Sequence, residues 1–318
     1  MDEIENPNAQ PGTDNFYSED GYGGGSFGSA SFGGGTYSNC SDSDAPGVSA
    51  LLNYLSSFNV DSRCAPGHYY LLNNYNPGYY GDGRNAYADI GNPNETVFTI
   101  PPSALRNIGD ELLERNISWK YYGDQWNAYV ANPDANYVQP NNLYCNICNP
   151  FQYSTSIMTN AAVRTAHLKD TADLYADIKK GDLPAVSFVK PSGWVDGHPA
   201  SSKLNLFEGF VKYIVNAVKA NPKLWNDTAI IVTFDEGGGY YDSGYVQALD
   251  FFGDGTRIPT IVVSRFTKRG HVSHVYADHV SILKFIEANW GLAPVTSRSR
   301  DNLPNPKTTR SNPYVPLN

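Results

Sequence analysis

The sequence predicts an α/β protein whose mostly parallel sheet carries helices on both faces, behind an irregular Gly/Ser-rich N-terminal segment. Three observations lead there. From residue 171 onward, short apolar runs of strand length alternate with stretches of helical period. The most apolar of those runs, residues 229–234 and 258–263, have the length of buried strands, as a helix-covered parallel sheet requires. Residues 1–45, by contrast, are rich in Gly, Ser, Asn and Tyr and show no apolar period at all. The organisation that follows is an irregular segment over 1–45, read as loop or partly disordered chain, and the C-terminal part of one α/β domain over 46–318.

The elements can be argued in order. Residues 46–58 suit a short helix, and 65–84 form an aromatic, Asn- and Gly-laden loop. Ser103 is placed as the N-cap of a helix that aligns Leu105, Ile108, Leu112 and Leu113 on one face. A strand follows over 117–122, then a long irregular stretch over 123–161. The next helix runs from Thr171 to about Lys180 and stops at Gly181, a residue that accepts the left-handed conformation helix ends use. A strand at 184–189 leads to a loop bearing Asp196 and His198. Ser202 is placed as the cap of a helix striped by Leu204, Phe207, Val211, Ile214 and Val218, which ends at Asn221-Pro222. Strands at 229–234 and 258–263 come next. Asp278 then caps a helix with Val280, Leu283, Phe285 and Ile286 that ends near Gly291. No internal repeat is visible.

Composition narrows the function classes. The 318 residues are 41% hydrophobic and 17% charged, with 23 Tyr, 29 Gly and 21 Pro, which describes a loop-rich globular chain and excludes a coiled coil. A formal net charge of -9 disfavours an electrostatic grip on nucleic acid or anionic lipid headgroups, and supplies the carboxylates a cation site uses. No apolar run approaches the ~20 residues needed to span a bilayer. Four cysteines, Cys40, Cys64, Cys145 and Cys148, read most simply as two disulfides, with 40–64 and 145–148 the simplest of three pairings; Cys145 and Cys148 also permit half of a zinc site, for which no second half follows. The start Met1-Asp2-Glu3 is acidic and lacks the apolar core of a signal peptide.

In open parallel sheets, ligands bind beyond the carboxyl ends of the strands. Here the strand at 184–189 is followed by Asp196 and His198, that at 229–234 by Asp235 and Glu236, and that at 258–263 by His271 and His274, so all three are expected to deliver their side chains to one edge. The strongest feature is Thr233-Phe-Asp-Glu-Gly-Gly-Gly-Tyr-Tyr-Asp242. Two adjacent carboxylates leaving a buried strand are costly unless a positive charge sits beside them, and a divalent cation is the simplest one. Three glycines let the backbone turn sharply and approach an ion or a phosphate. A polar turn ending a strand explains an isolated Asp-Glu-Gly equally well; Asp242 and the histidine-bearing loops favour a site. Of His271, His274 and His279, one is expected to act and the others to brace the loop, and His68 and His167 receive structural roles.

These residues resemble the phospholipase C/acid phosphatase family of phosphoesterases. The likeness lies in residues 230–242, in Ile117-Ser-Trp-Lys-Tyr-Tyr-Gly123, Leu183-Pro-Ala-Val-Ser187, Asp196-Gly-His-Pro199 and Arg257-Ile-Pro-Thr-Ile-Val-Val-Ser264, and in His274 followed by Asp278-His-Val-Ser-Ile-Leu-Lys-Phe-Ile-Glu287. It covers roughly residues 96–292. The resemblance implies an alkaline-phosphatase-like fold, hydrolysis of phosphoric esters, phospholipids among them, a divalent metal ion of open identity held by Asp235 and Glu236, and a secreted or periplasmic parent protein. It further implies that His198 and His274 act on the phosphoryl oxygens or the leaving group, with Asp196 and Asp242 beside the substrate.

Two departures accompany the likeness. The family places a His after the Asp that closes the acidic-glycine motif, where Ser243 follows Asp242 here. Family members also carry, near their N-terminus, a Glu-Asn pair that completes the metal site, and upstream of the matched region a Ser or Thr nucleophile. Glu5-Asn6-Pro7 has the dipeptide with the wrong continuation, and the hydroxyls within residues 26–38 are candidates by position alone. A chain missing its first portion is therefore expected, with a non-catalytic or ligand-binding remnant as the alternative to an active hydrolase. A sulfatase reading fails because no cysteine stands in the Cys-x-Pro-x-Arg context.

Overall fold

The computed structural model describes residues 17–18, 36–38, 43–44, 48–66, 70–73, 76–87, 101–133, 143–242, 256–275 and 277–303. Near the N-terminus, β1 (Tyr17–Ser18), β2 (Thr36–Ser38) and, after helix α1 (Val48–Ser57), β3 (Tyr70–Asn73) form a small antiparallel sheet with β2 in the middle. Most of residues 1–45 lies outside the described residues. Helix α1 matches the helix expected over 46–58.

The central layer begins with α2 (Ile108–Glu114). Its cap is Asn107 and not Ser103: the Asn107 side chain accepts from Gly109 N–H, while Asp110 reaches back to the Asn107 N–H to close a capping box. Ser103 instead bridges to Ser154. Then come β4 (Trp119–Gly123), α3 (Trp126–Ala131), α4 (Thr155–Met158), α5 (Ala161–His167), β5 (Leu168–Asp170), α6 (Thr171–Lys180) and β6 (Val186–Lys190). These strands make a parallel sheet in the order β5–β4–β6, with Tyr121 opposite Leu168 and the β4–β6 register running from Trp119↔Val186 to Gly123↔Lys190. The α/β class with a parallel sheet is thus as the sequence predicts. Residues 123–161, read as irregular, hold α3 and α4 and the start of α5; these helices are short, and β5 has only three residues, too few for a period to show.

Both faces of the sheet are covered, and β4 shows how. Trp119 and Tyr121 point into one core with Ile108 and Leu112 of α2, Phe151, Ile157 and Met158. Tyr122 points the other way, among Leu174 and Ile178 of α6 and residues of the helices that follow β6. This is the period of two that a strand imposes, with aromatic side chains on both sides. Fully buried aliphatic residues such as Leu112, Ile157 and Met158 each contribute about 1.5–3 kcal/mol. The second face also holds a polar network: Asp177 of α6 accepts from Lys120 Nζ at 2.6 Å and from Tyr122 Oη at 2.7 Å. Burial pushes the Asp177 carboxyl up, and the two hydrogen bonds outweigh it to hold the group below its usual range.

Beyond β6 lie α7 (Leu204–Ala220), α8 (Pro222–Trp225), β7 (Ala229–Val232), β8 (Ile261–Ser264) and α9 (His279–Trp290). The C-terminal part of the stripe expected on α7 packs inward, with Val218 and Ile214 against Tyr122, Leu174 and Ile178, whereas Leu204 at its start is exposed. Its expected cap is not: Ser202 Oγ donates to the Trp194 carbonyl at 2.8 Å, and Lys203 occupies the cap position. Asp278 caps α9 as expected, and α9 ends at Gly291 with φ 62°. One pairing differs from expectation. Strands β7 and β8 are antiparallel, with Ala229 opposite Ser264 and Val232 opposite Ile261. An apolar run carries no mark of direction, and the long connection between these strands permits either; nor are the two strands buried as expected, since Ile261 and Val262 are exposed.

Cys145 and Cys148 form a disulfide across a Cα–Cα distance of 5.2 Å, as the simplest pairing requires. Cys64 is also disulfide-bonded; Cys40 lies outside the described residues. Among the described residues, no helix is long and apolar enough to cross a membrane.

Candidate active site

The carboxyl ends of the strands gather charge, as the sequence led us to expect. Beyond β4, Asp124 accepts from Thr171 Oγ1 at 2.7 Å and from Ser192 N–H at 3.2 Å, which ties the loops after β5 and β6 to the end of β4. At the end of β5, Asp170 caps α6 and also accepts from Asn127 N–H at 2.9 Å. Strand β6 ends on Lys190, whose ammonium reaches toward the loop after β7 and lies 3.7 Å from Asp235 Oδ2. A lysine that the sequence does not single out thus places a positive charge beside Asp235. Its signal was available: Lys190 is the last residue of a strand whose other end is buried.

Two loops meet over this edge. Asp196 organises the first, accepting from His198 N–H at 2.9 Å and from Ser201 Oγ at 3.1 and 3.2 Å. His198 Nδ1 accepts from Ala200 N–H at 3.1 Å, which puts the ring proton of the neutral imidazole on Nε2. That nitrogen faces Glu236 Oε1 at 3.5 Å. The second loop is the acidic-glycine turn. Glu236 Oε2 accepts from Gly238 N–H at 2.6 Å, and Gly238 holds φ 61°, a conformation that costs glycine little and other residues more. Tyr240 Oη donates to the Gly197 carbonyl at 3.3 Å, fastening this turn to the Asp196–His198 loop. Asp235 and Glu236 keep 62% and 57% of their side-chain surface exposed, so both can reach a ligand from solvent.

Asp196, His198, Asp235 and Glu236 are thus brought together. Asp242 is placed at the far end of the turn, where Arg257 grips it: Arg257 Nη2 donates at 2.6 Å and the Arg257 backbone N–H at 2.8 Å. His274 is exposed. Strand β8 leaves the sheet at the end where β7 begins, as the contact of Arg265 with Asn226 also shows. The segment after β8 therefore starts at the edge opposite to Asp235, in contrast to the single edge expected. It has returned by His279, whose Nε2 donates to the Phe234 carbonyl at 2.8 Å, one residue before Asp235. His279 is thus a brace of the acidic turn. His167 is a brace too: it stacks on Trp119 at 4.3 Å, and its Nδ1 donates to the Trp119 carbonyl at 2.7 Å. His68, Glu5, Asn6 and residues 26–35 lie outside the described residues.

A second residue absent from the sequence reading is Tyr121. Its hydroxyl is buried and finds no hydrogen-bond partner among the described residues. Burial, with the charge of Asp235 adding to it, pushes the phenol well above its usual range and keeps it a neutral donor. As to a metal, Asp235 and Glu236 supply carboxylate oxygens of the kind that hold divalent cations. Among the described residues, no three His, Cys, Asp or Glu side chains are grouped to complete such a site.

A model of the Phosphoesterase family matches residues 53–293, which takes in β4, β6, both loops and the acidic turn. The chain belongs to the phosphoesterase family. This family member is similar to a non-hemolytic phospholipase C of Burkholderia pseudomallei, 28% identical over 274 residues that cover 73% of this chain and 37% of that protein. It is also similar to phospholipase C B of Mycobacterium tuberculosis, 26% identical over 67% of this chain and 44% of the relative. A phosphate-repressible acid phosphatase of Penicillium chrysogenum is 27% identical over 64% of this chain and 46% of that enzyme. The phosphoesterase chain thus spans less than half the length of these curated relatives.

Proposed function

We propose that this chain carries part or all of the active site of a phosphoric-ester hydrolase of the phospholipase C/acid phosphatase kind. The observation that carries the reading is the convergence of Lys190, His198, Asp235 and Glu236 from the ends of β6 and β7 in a member of the phosphoesterase family. A phosphate ester brings negative charge into this group, and two of its members can receive it. The Lys190 ammonium offers a positive charge beside Asp235, and His198 offers an Nε2 proton to a phosphoryl oxygen or to the departing oxygen. Asp196 and the Ala200 N–H hold the imidazole in that tautomer and orientation before substrate arrives.

Asp235 and Glu236 are the residues that would hold a divalent cation. Such a cation supplies charge neutralisation at phosphorus and a lowered pKa for an attacking hydroxyl. The cation, the nucleophile and the identity of the ester, whether a phospholipid or a simple monoester, all belong to this proposal.

The test is hydrolysis of p-nitrophenyl phosphate and p-nitrophenylphosphorylcholine by the purified chain, with added divalent metals and with EDTA, for wild type and His198→Gln. The proposal expects metal-dependent release of p-nitrophenol that falls by about 10²-fold or more in the variant. Equal rates in the variant remove His198 from the site. The two substrates separate a diester preference from a monoester preference.

A further inference from the structure

Among the described residues, a groove of about 590 Å³ opens between α6 and α7, at the edge of the parallel sheet opposite to the acidic turn. Its place follows from the topology. Helix α6 starts on its cap Asp170 at the carboxyl end of β5 and runs back to Gly181, from which the chain enters β6 at Val186. Tyr175 and Ile178 of α6 and Tyr213 of α7 wall the groove, and alanines of both helices leave the space between them. The two tyrosine rings meet edge to face with centroids 5.0 Å apart, and Tyr213 stays 58% exposed. A volume of this order is what a small organic ligand occupies.

One end of the groove is fixed and positively charged. Asn221 Nδ2 donates to the Ile178 carbonyl at 3.1 Å, and Asn221 Oδ1 accepts from the Lys223 N–H at 3.1 Å, which ties the end of α6 to the start of α8. Two lysines stand at this end. Lys179 lines the groove beside Asn221, and Lys223 Cδ lies 3.3 Å from the point where Gly181 would carry a Cβ. Both are exposed, and neither forms an ion pair among the described residues. Lysines in the last turn of a helix answer its dipole, and in that role their ammonium groups remain in solvent, able to meet an anion. In a chain of formal net charge -9, two such lysines beside an aromatic wall form a local exception to the field of the whole molecule.

We propose that the α6–α7 groove is a second ligand site, for a small molecule that joins a planar ring to an anionic group, as an aryl or nucleoside phosphate does. The ring packs on Tyr213 and extends its edge-to-face pair with Tyr175, while Lys179 and Lys223 meet the anion. An extended polyanion is a poor fit, because two lysines in a chain of net charge -9 neutralise a single anionic group and not a row of them. The site stands apart from hydrolysis at the acidic turn: none of Lys190, His198, Asp235 and Glu236 lines the groove.

The test is calorimetric titration of the chain with phenylphosphonate, which carries the ring and the anion but no ester bond to hydrolyse, in EDTA and beside inorganic phosphate as the anion alone. The expected result is saturable binding about 10-fold or more tighter than that of phosphate. It should weaken about 10-fold or more in Lys179→Glu and in Tyr213→Ala and stay unchanged in His198→Gln. Lys179 and Tyr213 are exposed, so both groove variants should fold, and a melting temperature close to that of wild type checks it. Equal affinity for phosphate and phenylphosphonate means an adventitious ion only and overturns the proposal. Binding that survives in both groove variants, binding lost only in His198→Gln, or no binding at all overturns it as well.

Discussion

Lys190 Nζ lies 3.7 Å from Asp235 Oδ2, joining the ends of two strands, β6 and β7, that belong to different sheets. Beneath that contact the sheets also share one core, with Val189 and Ile230 packed in the same cluster. The polar edge thus sits on a common apolar floor, and the position of Asp235 follows from the packing of β7 against the parallel sheet. A lysine beside a carboxylate in the absence of substrate is a pre-positioned charge: it balances Asp235 and can turn to an incoming phosphoryl group. Replacing Lys190 with Met should lower kcat/KM by about 10- to 100-fold with little change in melting temperature, and Lys190→Arg should recover part of the loss. Steady-state kinetics on the aryl phosphates and a thermal melt check both halves.

The Asp177 network on the other face gives a prediction about stability. Asp177 is ionised and held by Lys120 and Tyr122, so its folded-state pKa is depressed. Its contribution is therefore present above the ordinary Asp value of 3.8 and is lost as the pH falls through the folded pKa. Asp177→Ala leaves Lys120 and a buried phenol without their acceptor and should cost about 3 kcal/mol at pH 7. The gap to wild type, measured by denaturant titration, should narrow on going from pH 7 to pH 3.

The Gly238 turn can be tested by its backbone. Gly238 has φ 61°, and a Cβ built there meets Pro199 Cδ at 3.2 Å. Gly238→Val combines a strained conformation with pressure on the Asp196–His198 loop and should cost about 1–3 kcal/mol of stability. Because the same N–H holds Glu236 Oε2, activity should fall by more than the change in folded fraction accounts for. A melt read beside the kinetics separates the two effects.

Much of this could be read from the sequence, and the exceptions have physical causes. Helix α7 is long enough for its period to show, and in α9 period and the Asp278 cap agree. Asp196, His198, Asp235 and Glu236 stand out in the sequence because each lies in a loop that follows an apolar run of strand length. Strand β5 was missed because three residues carry no period, and its Leu168 alone is deeply buried among apolar groups. Asn107 displaced Ser103 as a cap because both residues offer a suitable acceptor and only packing decides between them. The antiparallel pairing of β7 with β8 was not legible, because strand direction leaves no mark on an apolar run. Lys190 and Tyr121 were overlooked because their importance comes from what lies across the sheet boundary.

The most direct measurement is the rate of p-nitrophenyl phosphate hydrolysis by Asp235→Ala beside wild type, with divalent metal present and the melting temperature of both recorded. Asp235 is exposed, so the substitution should leave folding nearly unchanged, within about 0.5 kcal/mol. The account predicts metal-dependent turnover in wild type that disappears in the variant while its melt is preserved. Turnover by Asp235→Ala equal to that of wild type, or none by either protein, would contradict the placement of the active site at the Lys190–Asp235 edge of this chain.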